Sequence, residues 1–492
     1  VPDQPPSTEE PTVPTIRELA DRTPATRRRH VDLLRAVAIA AVVVGHWLVI
    51  AVERDASGRL TGFSALGQIP GLHALTWLFQ VMPVFFLVGG ASNAISWQRH
   101  RGRGGSASRW LLDRAARVLP PVMALVLAVA VGAIAARAAG VDPGTAAEAV
   151  HLVTLPLWFL VVYVAVIALT PVACAAHERW GLAVPLVLLA GVAIGDALHL
   201  ATGQVQFAYG NYACAWLAVH QVGITWQDGS LGLTPRRSTV LLVVAGAALL
   251  LLTGPGPYPV SMVSVPGAPI QNSGPPTLAL MALAAVQIAV VGLVAGPADR
   301  WLARPGPWRV VVAVNVVVLT LFLWHMVAAL AGALTLDALG LLPAAPVGSA
   351  PWWAGRVPWL ATATVFQVVL VAAFAWVETG AARRLSAARR RAAQAAAGPP
   401  GPGGGRTGGW RAVAGAAGPA LASTPAVVAA YAATVLGLFV LAYAGRGPHG
   451  PFVIPTSALV LLVSGSAALA LGWAWTSRVP GASGASGASG GS

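Results

Sequence analysis

The chain is expected to fold as an all-α polytopic membrane protein, with a ten-helix core followed by two additional C-terminal transmembrane helices. Three observations carry this expectation. Hydrophobic residues make up 56% of the 492 residues and charged residues only 10%. Apolar windows of about 20 residues, the length that spans a bilayer core, recur along most of the chain. The formal charge of +14 is carried by 31 Arg and no Lys, and most of these arginines sit in short segments between the windows. This composition excludes a soluble enzyme. The charge placement fits orientation in a membrane rather than a nucleic-acid surface, so no nucleic-acid partner is expected. Heavy use of Ala, Gly, Val and Arg without Lys points to a very GC-rich genome, such as that of an actinobacterium.

In order, the spans are placed at 31–52, 72–97, 119–139, 152–173, 182–200, 207–226, 239–253, 277–295, 310–334, 357–377, 425–444 and 454–475. With the N-terminus inside, the arginines divide 26 to 5, and only Arg54, Arg59, Arg137, Arg356 and Arg446 fall on the outer side. This assigns both termini to the cytoplasm and the protein to the plasma membrane. Residues 1–26 are polar and Pro-rich and read as a disordered cytoplasmic tail; residues 27–385 hold the ten-helix core. Residues 386–418, rich in Ala, Gly, Pro and Arg, read as a cytoplasmic linker. Residues 419–478 hold the last two helices, and 479–492 read as a flexible Gly/Ala/Ser tail. Cys174 and Cys214 are too few for a disulfide framework and read as small buried hydrophobes.

The most informative residues are Arg35 and His46 in the first span. Eleven residues at about 100° each return to within roughly 20° of the same helix face, with a separation of roughly 16 Å along the axis. Ionisable side chains on one face of a membrane helix mark a reaction site or a transport path. His325, about 15 residues into the ninth span, falls at a similar depth to His46. Gln80 falls near the same layer and is a candidate oxyanion donor. No H-E-x-x-H, paired carboxylates at helical spacing or Cys cluster suggests a metal site.

Several stretches, in order, resemble the acyltransferase family 3 of bacterial membrane-bound O-acyltransferases. Asp32, Leu34, Arg35 and Ala38 stand as D-x-L-R-x-x-A, followed by His46. MPVFFLVGGASNAISW from Met82 resembles the family's Phe-rich helix. RWLLDRAARVLPP from Arg109 resembles its Arg-x-x-Arg element, here Arg114 and Arg117, and its Leu-Pro-Pro helix entry. LWFLVVY from Leu157, LFLWHMV from Leu321 and WVETGAARRL with Glu378 continue the resemblance to Leu385. The chain departs from the pattern where Gly89 and Gly90 replace a usual Ser-Gly pair, and where no proline follows Glu378.

The resemblance implies transfer of an acyl group, often acetyl, from cytoplasmic acyl-CoA to a hydroxyl of a sugar, cell-envelope glycan, lipid or natural product. Acyl-CoA is then a donor substrate, and no metal is needed. An acceptor hydroxyl needs a base, and imidazole suits that role near pH 7. The catalytic candidates are therefore His46, Arg35 and His325. Arg114, Arg117 and Arg35 are the donor-binding candidates, with the pantetheine arm reaching inward and the phosphates at the mouth. Arg99, Arg101 and Arg103 read as lipid-headgroup contacts. Glu378 reads as an interfacial ion pair with Arg383 and Arg384, while Trp158 and Tyr163 are packing or cavity aromatics. His220, Asn211 and Asp196 are polar groups within spans whose spacing specifies no chemistry. The rival class is a secondary transporter or exporter with a proton-coupled His/Arg site, against which stands the lack of a convincing internal repeat.

Overall fold

The computed structural model describes residues 15–24, 26–56, 58–342, 345–397, 419–443 and 453–477. Within them the chain is helical almost throughout. A short helix α1 (Ile16–Asp21) precedes α2 (Arg29–Val49), which carries both Arg35 and His46. At Ile50 the chain turns into the only two-stranded sheet among the described residues, β1 (Ile50–Arg54) paired antiparallel with β2 (Leu60–Ser64). Then follow α3 (Thr76–Phe79), α4 (Met82–Arg101), α5 (Ala107–Ala138), α6 (Pro143–Thr154), α7 (Leu157–Trp180), α8 (Ala183–Thr202), α9 (Asn211–Gln227) and α10 (Pro235–Thr253). The last group is α11 (Leu278–Leu302), α12 (Pro305–Val316), α13 (Val318–Ala338), α14 (Ala350–Ala397), α15 (Thr424–Tyr443) and α16 (Thr456–Thr476).

Eleven of these helices are long and apolar enough to cross a membrane, so the chain is a multi-pass membrane protein. The expected span 207–226 is α9, which has 17 residues. Its surroundings are protein: α9 packs against α4, α7 and α8. The crossing with α4 is close because both helices carry glycine there. A Cβ on Gly90 would lie 2.0 Å from the His220 carbonyl oxygen, and one on Gly223 2.1 Å from that of Leu87. Without a hydrophobic drive between helices in lipid, such small-residue contacts let backbones approach and set the packing.

Four sequence expectations are corrected. Residues 15–21 of the expected disordered tail form α1, because Thr15 and Glu18 make a reciprocal capping box. Ala20 of α1 packs with Leu302 and Trp308, whose indole donates to the Ala20 carbonyl and to Thr23 Oγ1. Residues 1–14 lie outside the described residues. The expected single span 310–334 is broken, with α12 ending at Val316 and α13 starting at Val318. The expected linker 386–418 is helical as far as Ala397, since its Ala and Arg are good helix formers; residues 398–418 lie outside the described residues, as do 478–492. Arg356, expected in an outer loop, lies within α14 and is buried.

Candidate active site

Two groups of side chains, separated along α2, make up the site. The first is a histidine pair. His325 is fully buried in the middle of α13, and its Nε2 lies 3.2 Å from Nδ1 of the half-buried His46, with ring centroids 5.0 Å apart. His325 Nδ1 donates to the Phe322 carbonyl at 2.5 Å, which leaves its Nε2 with a lone pair. His46 Nδ1 therefore carries the hydrogen, directed at His325 Nε2 and at the Val42 carbonyl 2.9 Å away. By this ordering His46 Nε2 holds an available lone pair, the form a general base requires.

The backbone around the pair is tied across three helices. Trp47 Nε1 donates to the His325 carbonyl at 2.9 Å. The Trp47 carbonyl accepts from Trp359 Nε1 at 2.8 Å, and the Ile50 carbonyl accepts from Arg356 at 2.7 Å. Arg356 also lies 3.9 Å over the Trp352 ring. The last carbonyls of a helix lack intrahelical partners, and here a buried guanidinium and an indole from α14 supply them. Arg54 adds a bidentate pair with Asp337, tying the β-hairpin to the end of α13. Arg356 and Trp359 were missed in the sequence, where Arg356 was indistinguishable from a loop charge.

The second group surrounds a cavity of about 1720 Å³ at the arginine-rich end of the bundle, larger than the roughly 300–1,000 Å³ of ordinary small-molecule pockets. Arg35, Arg114 and Arg117 line it together with Arg27, Arg28, Arg99, Arg103 and Arg109, against three carboxylates, Asp32, Asp113 and Glu378. Eight cations to three anions leave the cavity with an excess of positive charge, which suits a polyanion. Arg35 is held in place by Asp32 at 3.6 Å, Ser92 Oγ at 3.1 Å and Asn315 Oδ1 at 3.3 Å. Asn315 sits in the last turn of α12, just before the break in the ninth span, and donates in turn to the Asp32 carbonyl at 2.9 Å. Arg99 and Arg103, expected at lipid headgroups, line the cavity, whereas Arg101 pairs with Glu178 at 2.7 Å.

The two groups do not share one open space. Ile39, Phe85, Phe159 and Phe322 line the inner end of the cavity, and neither histidine lines it. Ile39 is seven residues from His46, or about 10 Å along the helix. Phenylalanine packing forms this layer: Phe159 lies 5.4 Å from Phe85 and 5.3 Å from Phe322, and Phe322 lies 5.8 Å from His325. Tyr163 lines the cavity and stacks on Phe159, whereas Trp158 packs between the hydrophobic clusters.

Other candidates have structural roles. Gln80, the expected oxyanion donor, instead donates to the Met262 carbonyl at 2.8 Å and ties a loop to the end of α3. Asp196 accepts from Asn211, Tyr258 and the Leu278 backbone, a knot apart from the cavity. His220 is buried against α4 through its backbone. Among the described residues no three His, Cys, Asp or Glu side chains converge as metal ligands do.

Glu378 does not form the expected interfacial ion pair. Its carboxylate accepts from the Leu319 N–H at 3.2 Å, the Thr320 N–H at 2.8 Å and Thr320 Oγ1 at 2.7 Å, so it caps the start of α13 from another helix. Glu378→Ala should therefore destabilise the protein by about 1–3 kcal/mol, because two backbone N–H groups at the start of α13 lose their acceptor. A fall in the detergent melting temperature, smaller for Glu378→Gln, checks this; an unchanged melt would show that the cap is dispensable.

The fold and the site define a polytopic membrane protein with a basic chamber below an interior histidine pair. The family model described as an acyltransferase domain matches residues 28–377. The chain belongs to this family, acyltransferase family 3, and is a membrane acyltransferase. No curated protein and no solved structure matches it.

Proposed function

We propose that the protein transfers an acyl group, acetyl in the simplest case, from cytoplasmic acyl-CoA to a hydroxyl-bearing acceptor such as a sugar, envelope glycan, lipid or natural product. The observation that carries this reading is the Nε2 of His46, its lone pair set by the contact with His325, lying beyond the phenylalanine layer that closes the inner end of an arginine-lined cavity. The nucleotide phosphates of the donor pair with Arg114, Arg117 and their neighbours, where planar guanidinium groups match phosphate oxygens. The thin pantetheine arm runs past Arg35 and through the phenylalanine layer, which must part to admit it. At the histidines, His46 Nε2 takes the proton of the acceptor hydroxyl as its oxygen bonds to the thioester carbon. The C–S bond then breaks and CoA leaves as the thiolate, which takes up a proton. The arginine-rich face is cytoplasmic in this reading, as the loop charges require, and both termini are on that side.

Arg114→Ala/Arg117→Ala should weaken acetyl-CoA binding to the purified protein by roughly ten- to a hundredfold, the size expected for losing charge-assisted contacts. Saturable binding by the unaltered chain that weakens in the double variant supports the assignment. Absence of binding for acetyl-CoA and for longer acyl-CoAs would overturn acyl-CoA as the donor.

A further inference from the structure

The two C-terminal helices lie beyond the matched region 28–377, yet they form part of the cavity wall. Pro419, Ala422 and Ser423, just ahead of α15, and Thr424 at its start line it, as do Trp475 and Thr476 at the end of α16. The hairpin is docked by polar contacts as well as by packing. Tyr431 donates to the Leu111 carbonyl at 2.7 Å, Trp473 Nε1 to Asp113 Oδ1 at 3.1 Å, and Arg109 to Ser477 Oγ at 3.3 Å. A Cβ on Gly472 would lie 3.2 Å from Leu112 of α5. Asp113 is buried, and Trp473 from the hairpin joins Arg109 of α5, 3.6 Å away, as its partner. With these bonds closing on α5 and its ends lining the cavity, the hairpin is a built-in part of the cavity wall.

Trp473 and Trp475 are two residues apart on a helix and therefore face different ways. Trp473 is engaged with α5. Trp475 is half-buried and lines the cavity, two residues from Ser477, which Arg109 reaches. An indole face beside guanidinium groups is the arrangement that holds a nucleotide, with the ring stacking on the base and the cations meeting the phosphates.

Resting on the acyl-CoA reading above, we propose that the C-terminal hairpin is part of the donor site and that Trp475 stacks on the adenine of the incoming acyl-CoA. The ligand class for this subsite is an adenosine 3′,5′-diphosphate moiety, while the arm and acyl group are held by the core.

The test is equilibrium binding of radiolabelled acetyl-CoA to the full chain in detergent, with adenosine 3′,5′-diphosphate as competitor. Trp475→Leu keeps apolar bulk but removes the aromatic face; Trp475→Phe keeps an aromatic face. The Leu variant should lose about tenfold in affinity for both ligands, and the Phe variant should stay within a few-fold of the unaltered chain, as the loss of one stacked base predicts. Unchanged affinities in the Leu variant, or equal losses in Leu and Phe, would overturn the stacking role while leaving the acyltransferase reading intact. Failure of the unaltered chain to bind acetyl-CoA would overturn that reading, and this one with it.

Discussion

Replacing His46 with alanine should abolish acyl transfer, with a loss of at least about 10²–10⁴-fold, the range for a general base. Donor binding should survive, because the phosphate-binding arginines line a cavity to which His46 does not contribute. Membrane insertion should survive as well. The end of α2 is anchored through Trp47 and backbone carbonyls to His325, Arg356 and Trp359, and none of these bonds uses the His46 ring. His325→Ala is expected to cost less. It leaves His46 Nδ1 with the Val42 carbonyl, so the proton stays on the same nitrogen while the ring loses one of its two restraints. The measurement is transfer of labelled acetyl from acetyl-CoA in membranes, with donor binding scored on the same preparations. Full transfer by the His46 variant would sink the assignment of the base, and loss of donor binding with it would make His46 a structural residue.

Gly90→Ala should be the most damaging single methyl group in the bundle. Its Cβ would lie 2.0 Å from the His220 carbonyl oxygen, which is backbone and cannot swing aside, so α4 and α9 must separate. Overpacking of this kind costs typically about 1–3 kcal/mol and sometimes more. The same shift would move Ser92, which holds Arg35, so donor affinity should fall along with stability. Gly89→Ser is the internal control. A Cβ there meets nothing within 4 Å, and Gly89 borders the cavity, so restoring the family's more usual serine should leave yield and melting temperature unchanged. Size-exclusion yield and melting temperature of the two variants in one detergent check this. Equal behaviour of the pair would mean that the close crossing of α4 and α9 is not what holds them.

Much of the membrane architecture was legible because a bilayer imposes a simple one-dimensional rule: a helix must hide its backbone and present about 20 apolar residues. That rule located eleven helices of membrane-crossing length among the twelve expected spans; the sixth is the short α9, and the ninth is broken into α12 and α13. The placement of Arg35 and His46 along one helix face was also legible, since helical periodicity is local. The family followed from motifs that keep their order even where each is weak alone. One local signal was overlooked, the Thr15-x-x-Glu18 capping box that starts α1.

By itself, then, the sequence determined the multi-pass class, the family and most of the membrane-length helices, and it singled out His46 as the candidate base. Only the tertiary structure decided which polar groups meet. His325 reaches His46 across 279 positions of chain, Glu378 caps α13 across 58, and Trp473 meets Asp113 across 360. It also decided that Arg356 is buried, that Gln80 serves a loop, and that phenylalanines stand between the arginines and the histidines. Hydropathy reports how a helix meets lipid. Which side chains face one another depends on the rotation, depth and crossing of helices, and these are set by small-residue contacts and a few polar bonds between segments far apart in the chain.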